Sequence, residues 1–248
     1  MRNCDKIILY ILNVSFIMKI RRILLLFLLI IVSAAVFASC SAKQGESAPE
    51  LELMNRCAGY IEEFSSSSPA DALALKKVSD DCKALLDSGY FDEFYEESLF
   101  KQNSVISGRE DEYKESHRCE IMMIRLKCLL LSDDFEAYGA EFQSYIRQIE
   151  SNAFTYQRFP EFFKNDADLK LSEEQLEAVM NAYRAAADSC TDEIEKYILY
   201  KEEYSFVSFY SVDEALKQKL FEKFNSIKEL MGDDAFKKHY NDQNRFEE

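Results

Sequence analysis

Apolar side chains recur at intervals of three and four through most of this chain, which is the spacing of one face of an α-helix. No segment shows the strict alternation of apolar and polar residues, bounded by turn signals, that is typical of a β-strand. The sequence therefore predicts an all-α protein built of antiparallel helical hairpins. The predicted helices begin near residues 49, 68, 90, 110, 135, 172, 191 and 211.

Short polar motifs predict where several of these helices begin and end. Ser172 and Gln175 have the spacing of a capping box, and Gly89 is the expected C-terminal cap of the second helix. Residues 90–100 are expected to form one short aromatic helix. Residues 132–134, Ser-Asp-Asp, predict a tight turn between a helix over 110–131 and the next one.

Two segments of the chain share one pattern. Residues 85–94 and 129–138 each contain a helix end, a small turn, an aromatic residue, an acidic residue and a second aromatic residue. This pattern resembles the turn between the paired helices of tetratricopeptide repeats. The resemblance implies a solenoid of helical hairpins, and an irregular helical bundle is the alternative because no third copy follows.

An irregular aromatic stretch divides the predicted helices into two groups. Residues 49–151 form the expected N-terminal helical half and residues 172–248 the C-terminal half. Residues 152–171 are the expected connection, since aromatic side chains crowd around Pro160 there without helical spacing.

The N-terminal region has the layout of a secretory signal peptide. Lys19, Arg21 and Arg22 precede an apolar run over residues 23–37, which is short for a helix that must cross a bilayer. A second apolar stretch lies before these cations, so we expect translation to start at Met18. Residues 1–39 are then the expected leader, and residues 40–48 a short polar tether.

The predicted leader ends immediately before a cysteine, Cys40, that follows small residues. Phe37, Ala38, Ser39 and Cys40 resemble the lipobox of bacterial lipoproteins. The resemblance implies that Cys40 receives a diacylglycerol, becomes the first residue of the mature chain and anchors it on the outer side of the bacterial cell membrane. The alternative is an uncleaved N-terminal anchor in which Cys40 is an ordinary residue.

Composition and net charge limit the kinds of molecule that this protein is expected to bind. The formal net charge of −15 repels phosphate backbones and anionic headgroups, so we expect no binding to nucleic acid and no electrostatic binding to membranes. Six glycines and three prolines in 248 residues favour long helices. Of the seven cysteines, the five after Cys40 are interpreted mainly as small buried apolar residues, with a disulfide as the alternative.

The sequence offers little that predicts catalysis. His117 and Cys119 lie two positions apart on a predicted helix, so their side chains point in different directions and cannot share a metal ion. No serine has the flanking glycines of a nucleophile elbow, and adjacent acidic residues are expected by chance in so acidic a chain. We therefore expect no enzyme activity, no cofactor and no metal.

Aromatic side chains are the best candidates for contact with a partner. Two segments, residues 154–163 and 200–210, contain more large rings than one helix face buries. The alternative is that these rings pack between helices. The candidate partner-binding residues are Phe154, Tyr156, Phe159, Phe162, Phe163, Tyr204, Phe206 and Tyr210.

Together these features predict a lipid-anchored scaffold that holds a protein or peptide partner near the outer face of a bacterial membrane. A solute-binding lipoprotein that serves a transporter is the first alternative, although such receptors usually have α/β lobes. An enzyme of unrecognised type is the second alternative.

Overall fold

The computed structural model of the chain describes residues 48–64, 71–103, 108–151, 159–166 and 168–231. Within these ranges the chain forms ten α-helices, one 3₁₀ turn at Tyr95–Glu97 and no strand, which confirms the predicted all-α class. The helices are α1 Pro49–Phe64, α2 Ala72–Leu86, α3 Tyr90–Phe94, α4 Leu99–Asn103, α5 Glu110–Leu131, α6 Phe135–Ser151, α7 Phe159–Lys164, α8 Glu173–Asp188, α9 Glu193–Tyr210 and α10 Glu214–Met231.

The longer helices pack in the order in which they follow one another in the sequence. The successive contacts run from α1 to α2, α5, α6, α8, α9 and α10, while the short α3 and α4 lie against α1 and α7 lies against α9. The extensive contact between α6 and α8 joins the two predicted halves, and the described residues from Pro49 onward form one compact unit. This arrangement fits a bundle or a solenoid of hairpins, and the likeness to tetratricopeptide repeats stays a prediction.

Helix α5 is the centre of the fold. Every residue from 121 to 130 is buried, and α5 makes its most extensive contacts with α2 and α6. The Arg125 guanidinium joins the three helices. It donates to the Ser79 carbonyl and hydroxyl on α2 at 2.6 and 2.7 Å, and to both carboxylate oxygens of Glu141 on α6 at 2.5 Å. Such a bidentate pair fixes geometry as well as adding energy.

The turn after α5 confirms the predicted tight connection. Asp133 has the left-handed φ of 59° that a helix C-terminus often needs. The Asp133 N–H donates to the Leu130 carbonyl and the Asp134 N–H to the Leu129 carbonyl, at 3.2 and 3.0 Å. These two bonds form a Schellman motif, and they satisfy carbonyls that the end of the helix leaves free.

The capping prediction at Ser172 is confirmed, and the one at Gly89 is wrong. The Ser172 hydroxyl accepts from the Gln175 N–H at 3.1 Å, while the Gln175 side chain accepts from the Ser172 N–H at 3.0 Å. Helix α2 instead ends at Leu86, because the Ser88 hydroxyl and N–H both donate to the Leu85 carbonyl and turn the chain. Gly89 precedes α3 as its N-cap.

Two segments between helices also differ from expectation. The aromatic stretch over 90–100 is not one helix, since the Ser98 hydroxyl donates to the Tyr95 carbonyl at 2.8 Å and the backbone there is extended. Within the predicted irregular connection, residues 159–164 form α7. Pro160 is compatible with this helix because it lies in the first turn, where no N–H donor is needed.

The five cysteines of the described residues are buried free thiols, as the sequence analysis favoured. They are Cys57, Cys82, Cys119, Cys128 and Cys190. None of the helices in the described part of the chain combines the length and apolar character needed to cross a membrane. The predicted leader and Cys40 lie outside the described residues.

Candidate functional site

An open groove of about 430 Å³ lies where α7, α9 and α10 meet. Its volume falls in the range of known ligand sites. We call it the α9–α10 groove, and its lining residues are Lys164, Lys201, Tyr204, Ser205, Ser208, Phe209 and Phe224.

Helix α9 supplies one wall of the groove as a single stripe. Lys201, Tyr204, Ser205, Ser208 and Phe209 follow one another at the spacing of three and four that places side chains on one helix face. Other faces of α9 turn toward the protein, where residues 199, 200, 202, 203, 206 and 207 are buried. The groove stripe is therefore the part of α9 that neighbouring helices leave open.

Three rings form the apolar side of the groove where α9 meets α10. The ring of Tyr204 lies 5.7 Å from that of Phe221 and 5.3 Å from that of Phe224, and these two rings are 5.3 Å apart. Such tilted and edge-to-face contacts hold the rings in defined orientations. The groove therefore has a fixed aromatic wall.

Large apolar side chains near the groove remain accessible to solvent. Phe209 is 55% exposed, Phe221 is 42% exposed, and Val212 in the turn between α9 and α10 is 95% exposed. Single exposed apolar residues are common, but grouped ones often mark an interaction surface. Phe209 lines the groove and Phe221 packs against two of its lining rings, so two exposed aromatic side chains border the groove.

Lys164 reaches the groove from α7. Its ammonium group donates to the Ser205 hydroxyl at 2.7 Å, lies 3.6 Å from a carboxylate oxygen of Glu161 and lies 5.9 Å from the centre of the Phe209 ring. These contacts hold the charge at the rim. Lys201 supplies a second positive charge, and none of the described residues that line the groove carries a carboxylate.

One polar atom in the groove wall lacks a partner within the described residues. The Ser208 hydroxyl oxygen is buried and forms no hydrogen bond there. Because this oxygen is inaccessible to solvent, it belongs to the packed side of the wall and does not contact a molecule in the groove. The Tyr210 hydroxyl beside it in the sequence is likewise buried without a hydrogen bond, and burial raises the pKa of Tyr210.

Four of the predicted aromatic contacts lie in the protein core, where no partner reaches them. Phe159, Phe163 and Phe206 are completely buried and Phe162 nearly so. The rings of Phe159 and Phe163 are 4.9 Å apart, and Phe206 lies 5.2 Å from Phe163. For these four residues the alternative interpretation holds, because α7 and α9 pack their rings against each other.

The remaining predicted residues have different positions. Tyr204 lines the groove, and the half-buried Tyr210 packs at the edge of the core, with its ring 5.0 Å from Phe206 and 4.9 Å from Phe209. Phe154 and Tyr156 lie outside the described residues. Sequence reasoning missed Lys164, Lys201, Ser205, Ser208, Phe209 and Phe224 as groove residues.

A second pocket, of about 410 Å³ between α1 and α2, is a weaker candidate. Its charged groups already satisfy each other, since the Arg56 guanidinium donates to both carboxylate oxygens of Asp81 at 3.1 Å. The Tyr60 hydroxyl also donates to Asp81, at 2.8 Å. A ligand in this pocket would compete with these bonds, so the α9–α10 groove is the better site.

The histidine, cysteine and acidic side chains of the described residues do not come together into a catalytic or metal site. Among the described residues no group of three or more histidine, cysteine or acidic side chains has the geometry to hold a metal ion. His117 is half-buried, and its Nδ1 lies 2.9 Å from the Tyr95 hydroxyl. The Glu203 carboxylate is buried between α8 and α9, 3.2 Å from Arg184, and desolvation raises its pKa.

No model of a known protein family matches the chain, and comparisons with curated proteins and with solved structures also find no match.

Proposed function

We propose that this protein is an exported scaffold of the bacterial cell envelope, anchored by lipid on Cys40, whose helical domain holds a protein partner. The partner docks in the α9–α10 groove and the scaffold performs no catalysis. The observation that carries the proposal is a pair of exposed rings at this groove: Phe209 lines it, and Phe221 packs against the lining residues Tyr204 and Phe224. Buried aromatic anchors supply much of the binding energy in protein interfaces.

The anchor half of the proposal is supported by the N-terminal sequence. A cationic cluster, an apolar run and the residues before Cys40 follow one another in the order of a lipoprotein signal. More than one acyl chain on a single cysteine gives stable attachment where one chain gives marginal binding. The experiment is incorporation of labelled fatty acid into the full-length protein and into Cys40→Ala, with the mass of each mature product. Label in the first alone supports the anchor, and label in neither contradicts it.

The partner half is tested by site-directed photocrosslinking in intact cells. A benzoylphenylalanine replaces Phe209 in one variant and Leu73 in the control, because Leu73 is 74% exposed on α2, away from the groove. We expect one discrete adduct from position 209 that position 73 does not give. Mass spectrometry identifies the partner in this adduct. The adduct should disappear when Phe221→Ala is added to the variant that carries the crosslinker at position 209. Equal adducts at both positions would contradict the proposal.

A second candidate function, hydrolysis by a serine–lysine pair, is favoured by the 2.7 Å bond between Lys164 and Ser205. The surroundings argue against it. Lys164 also lies 3.6 Å from the Glu161 carboxylate, and an ammonium group that donates to Ser205 has no lone pair with which to accept the serine proton. The N–H groups in the middle of α9 are used within the helix, so they supply no oxyanion hole. Covalent labelling of Ser205 by a fluorophosphonate probe would revive this candidate.

A further inference from the structure

We infer that the occupant of the α9–α10 groove is an extended segment of the partner that carries an acidic side chain next to a large apolar one. The inference rests on the proposed function and names the chemistry of its site. Three observations carry it: the charge of the lining, the freedom of one lysine and the spacing of polar residues along α9.

The lining has a charge opposite to that of the chain. The chain carries 45 acidic and 30 basic residues, yet the described residues that line the groove include Lys164 and Lys201 and no carboxylate. Lys201 is exposed and forms no ion pair or hydrogen bond with any described residue. A carboxylate is the natural partner of such a group, and hydrogen bonds to charged groups are among the stronger ones.

Polar residues of α9 line the groove at regular intervals along the helix, next to its aromatic side chains. Lys201, Ser205 and Ser208 stand at positions i, i+4 and i+7, which spans about 10 Å along the helix axis at 1.5 Å per residue. Three residues of extended peptide span about the same length. Tyr204, Phe209 and Phe224 then face the apolar side chain of the segment.

The same features disfavour other anions. A nucleic acid or an anionic membrane presents many phosphates, and the net charge of −15 repels such a surface as a whole. A single carboxylate on a short segment reaches the two lysines without bringing a charged surface against the rest of the domain. The groove is also open to solvent, so a segment of another protein is able to reach it.

The test is selection of dodecapeptides from a random phage library on the purified full-length protein. The comparison proteins are Lys201→Glu, Phe209→Ala and the control Lys219→Glu, which makes the same charge change at an exposed site on α10 outside the groove. We expect the wild-type protein to enrich peptides with Asp or Glu beside Phe, Leu or Ile. For the best peptide, measured by fluorescence anisotropy, Lys201→Glu and Phe209→Ala should each weaken binding about tenfold, and Lys219→Glu less than twofold.

A charge exchange separates a specific contact from a general effect of charge. Replacing the acid of the peptide by Lys should restore binding to Lys201→Glu and weaken binding to the wild-type protein. Equal weakening by Lys201→Glu and Lys219→Glu would overturn the inference.

The remaining outcomes distinguish this inference from the proposed function. Enriched peptides that are neutral, and that lose binding with Phe209→Ala alone, would overturn the acidic ligand while leaving the groove as the docking site. Peptide binding that neither groove variant weakens would overturn both. If sedimentation shows a dimer that Phe209→Ala dissociates, the groove binds a second copy of the chain instead. If dodecanoate alone displaces the peptide, the groove binds a fatty acid instead.

Discussion

The ammonium group of Lys127 lies 3.2 Å from a carboxylate oxygen of Asp166, and the Lys127 side chain is completely buried. This pair ties α5 to the chain just after α7. The same ammonium group lies 5.3 and 5.5 Å from the ring centres of Phe162 and Phe163. The aromatic cluster of α7 is therefore part of a buried, charged junction, which explains why these rings are core residues rather than anchors for a partner.

Loss of this cation should destabilise the protein strongly. Lys127→Met removes the ammonium group that faces Asp166, and breaking a buried pair on one side typically costs about 3 kcal/mol or more. The measurement is the free energy of unfolding in urea. Lys170→Met, at an exposed position, is the control and should change this free energy by less than about 0.5 kcal/mol. Equal effects of the two variants would show that Lys127 is not in a buried pair.

Glu120 should make the fold less stable as pH rises. Desolvation raises the pKa of Glu120 to about 7 from an ordinary value of 4.5. The folded protein therefore binds a proton that the unfolded chain has lost, and stability falls between pH 4.5 and pH 7. Glu120→Gln should gain about 2 to 3 kcal/mol over the wild-type protein at pH 8 and nothing near pH 4. Urea unfolding at both pH values checks this, and a constant difference would contradict it.

His117 should respond to pH in the opposite direction. Burial lowers its pKa to about 4 from an ordinary 6.5, so the unfolded chain takes up a proton first as the solution is acidified. Stability due to this group is present above pH 6.5 and is lost as pH falls toward 4. The measurement is the imidazole titration by NMR in a full-length His239→Gln variant, which leaves one histidine. A midpoint near 4 is expected, and a midpoint above 6 would contradict the burial of His117.

Much of the helical pattern could be predicted from local sequence. The helix over residues 110–131 was predicted with its observed bounds, because apolar periodicity and the Ser-Asp-Asp turn agree there. The capping box at Ser172 depends on residues three apart and needs no tertiary information. Gly89 misled the prediction because the bond from the Ser88 hydroxyl to the Leu85 carbonyl ends α2 earlier.

The candidate groove could be predicted only in part. The aromatic segment over residues 200–210 was noticed, but its composition does not tell which rings face solvent. Phe206 and Phe209 are three positions apart on α9, yet the first is buried against α7 and the second is 55% exposed. Lys164 reaches the groove from another helix, and only the packing of α7 on α9 brings it to Ser205. Such juxtapositions depend on tertiary packing, which periodicity alone does not encode.

The buried thiols should resist modification while the domain is folded. Reaction with Ellman's reagent requires the thiolate, and desolvation raises the pKa of Cys128 to about 12 and that of Cys82 well above its ordinary value. In the full-length chain with Cys4 and Cys40 changed to Ser, we expect Cys57, Cys82, Cys119 and Cys128 to react only on global unfolding.

Cys190 should be the first of the five thiols to react. It lies just after the end of α8, is 5% exposed, and its sulfur is 3.4 Å from the Arg147 guanidinium, whereas the other four are completely buried. Fraying at a helix end needs less free energy than opening of the core, so this thiol becomes accessible more often. In native buffer one thiol per chain should react slowly with Ellman's reagent, and this reaction should be absent from the Cys190→Ser variant. The remaining four thiols should react together when the protein unfolds in urea. Several equivalents reacting at once without denaturant would mean that the α1–α2–α5 core opens locally.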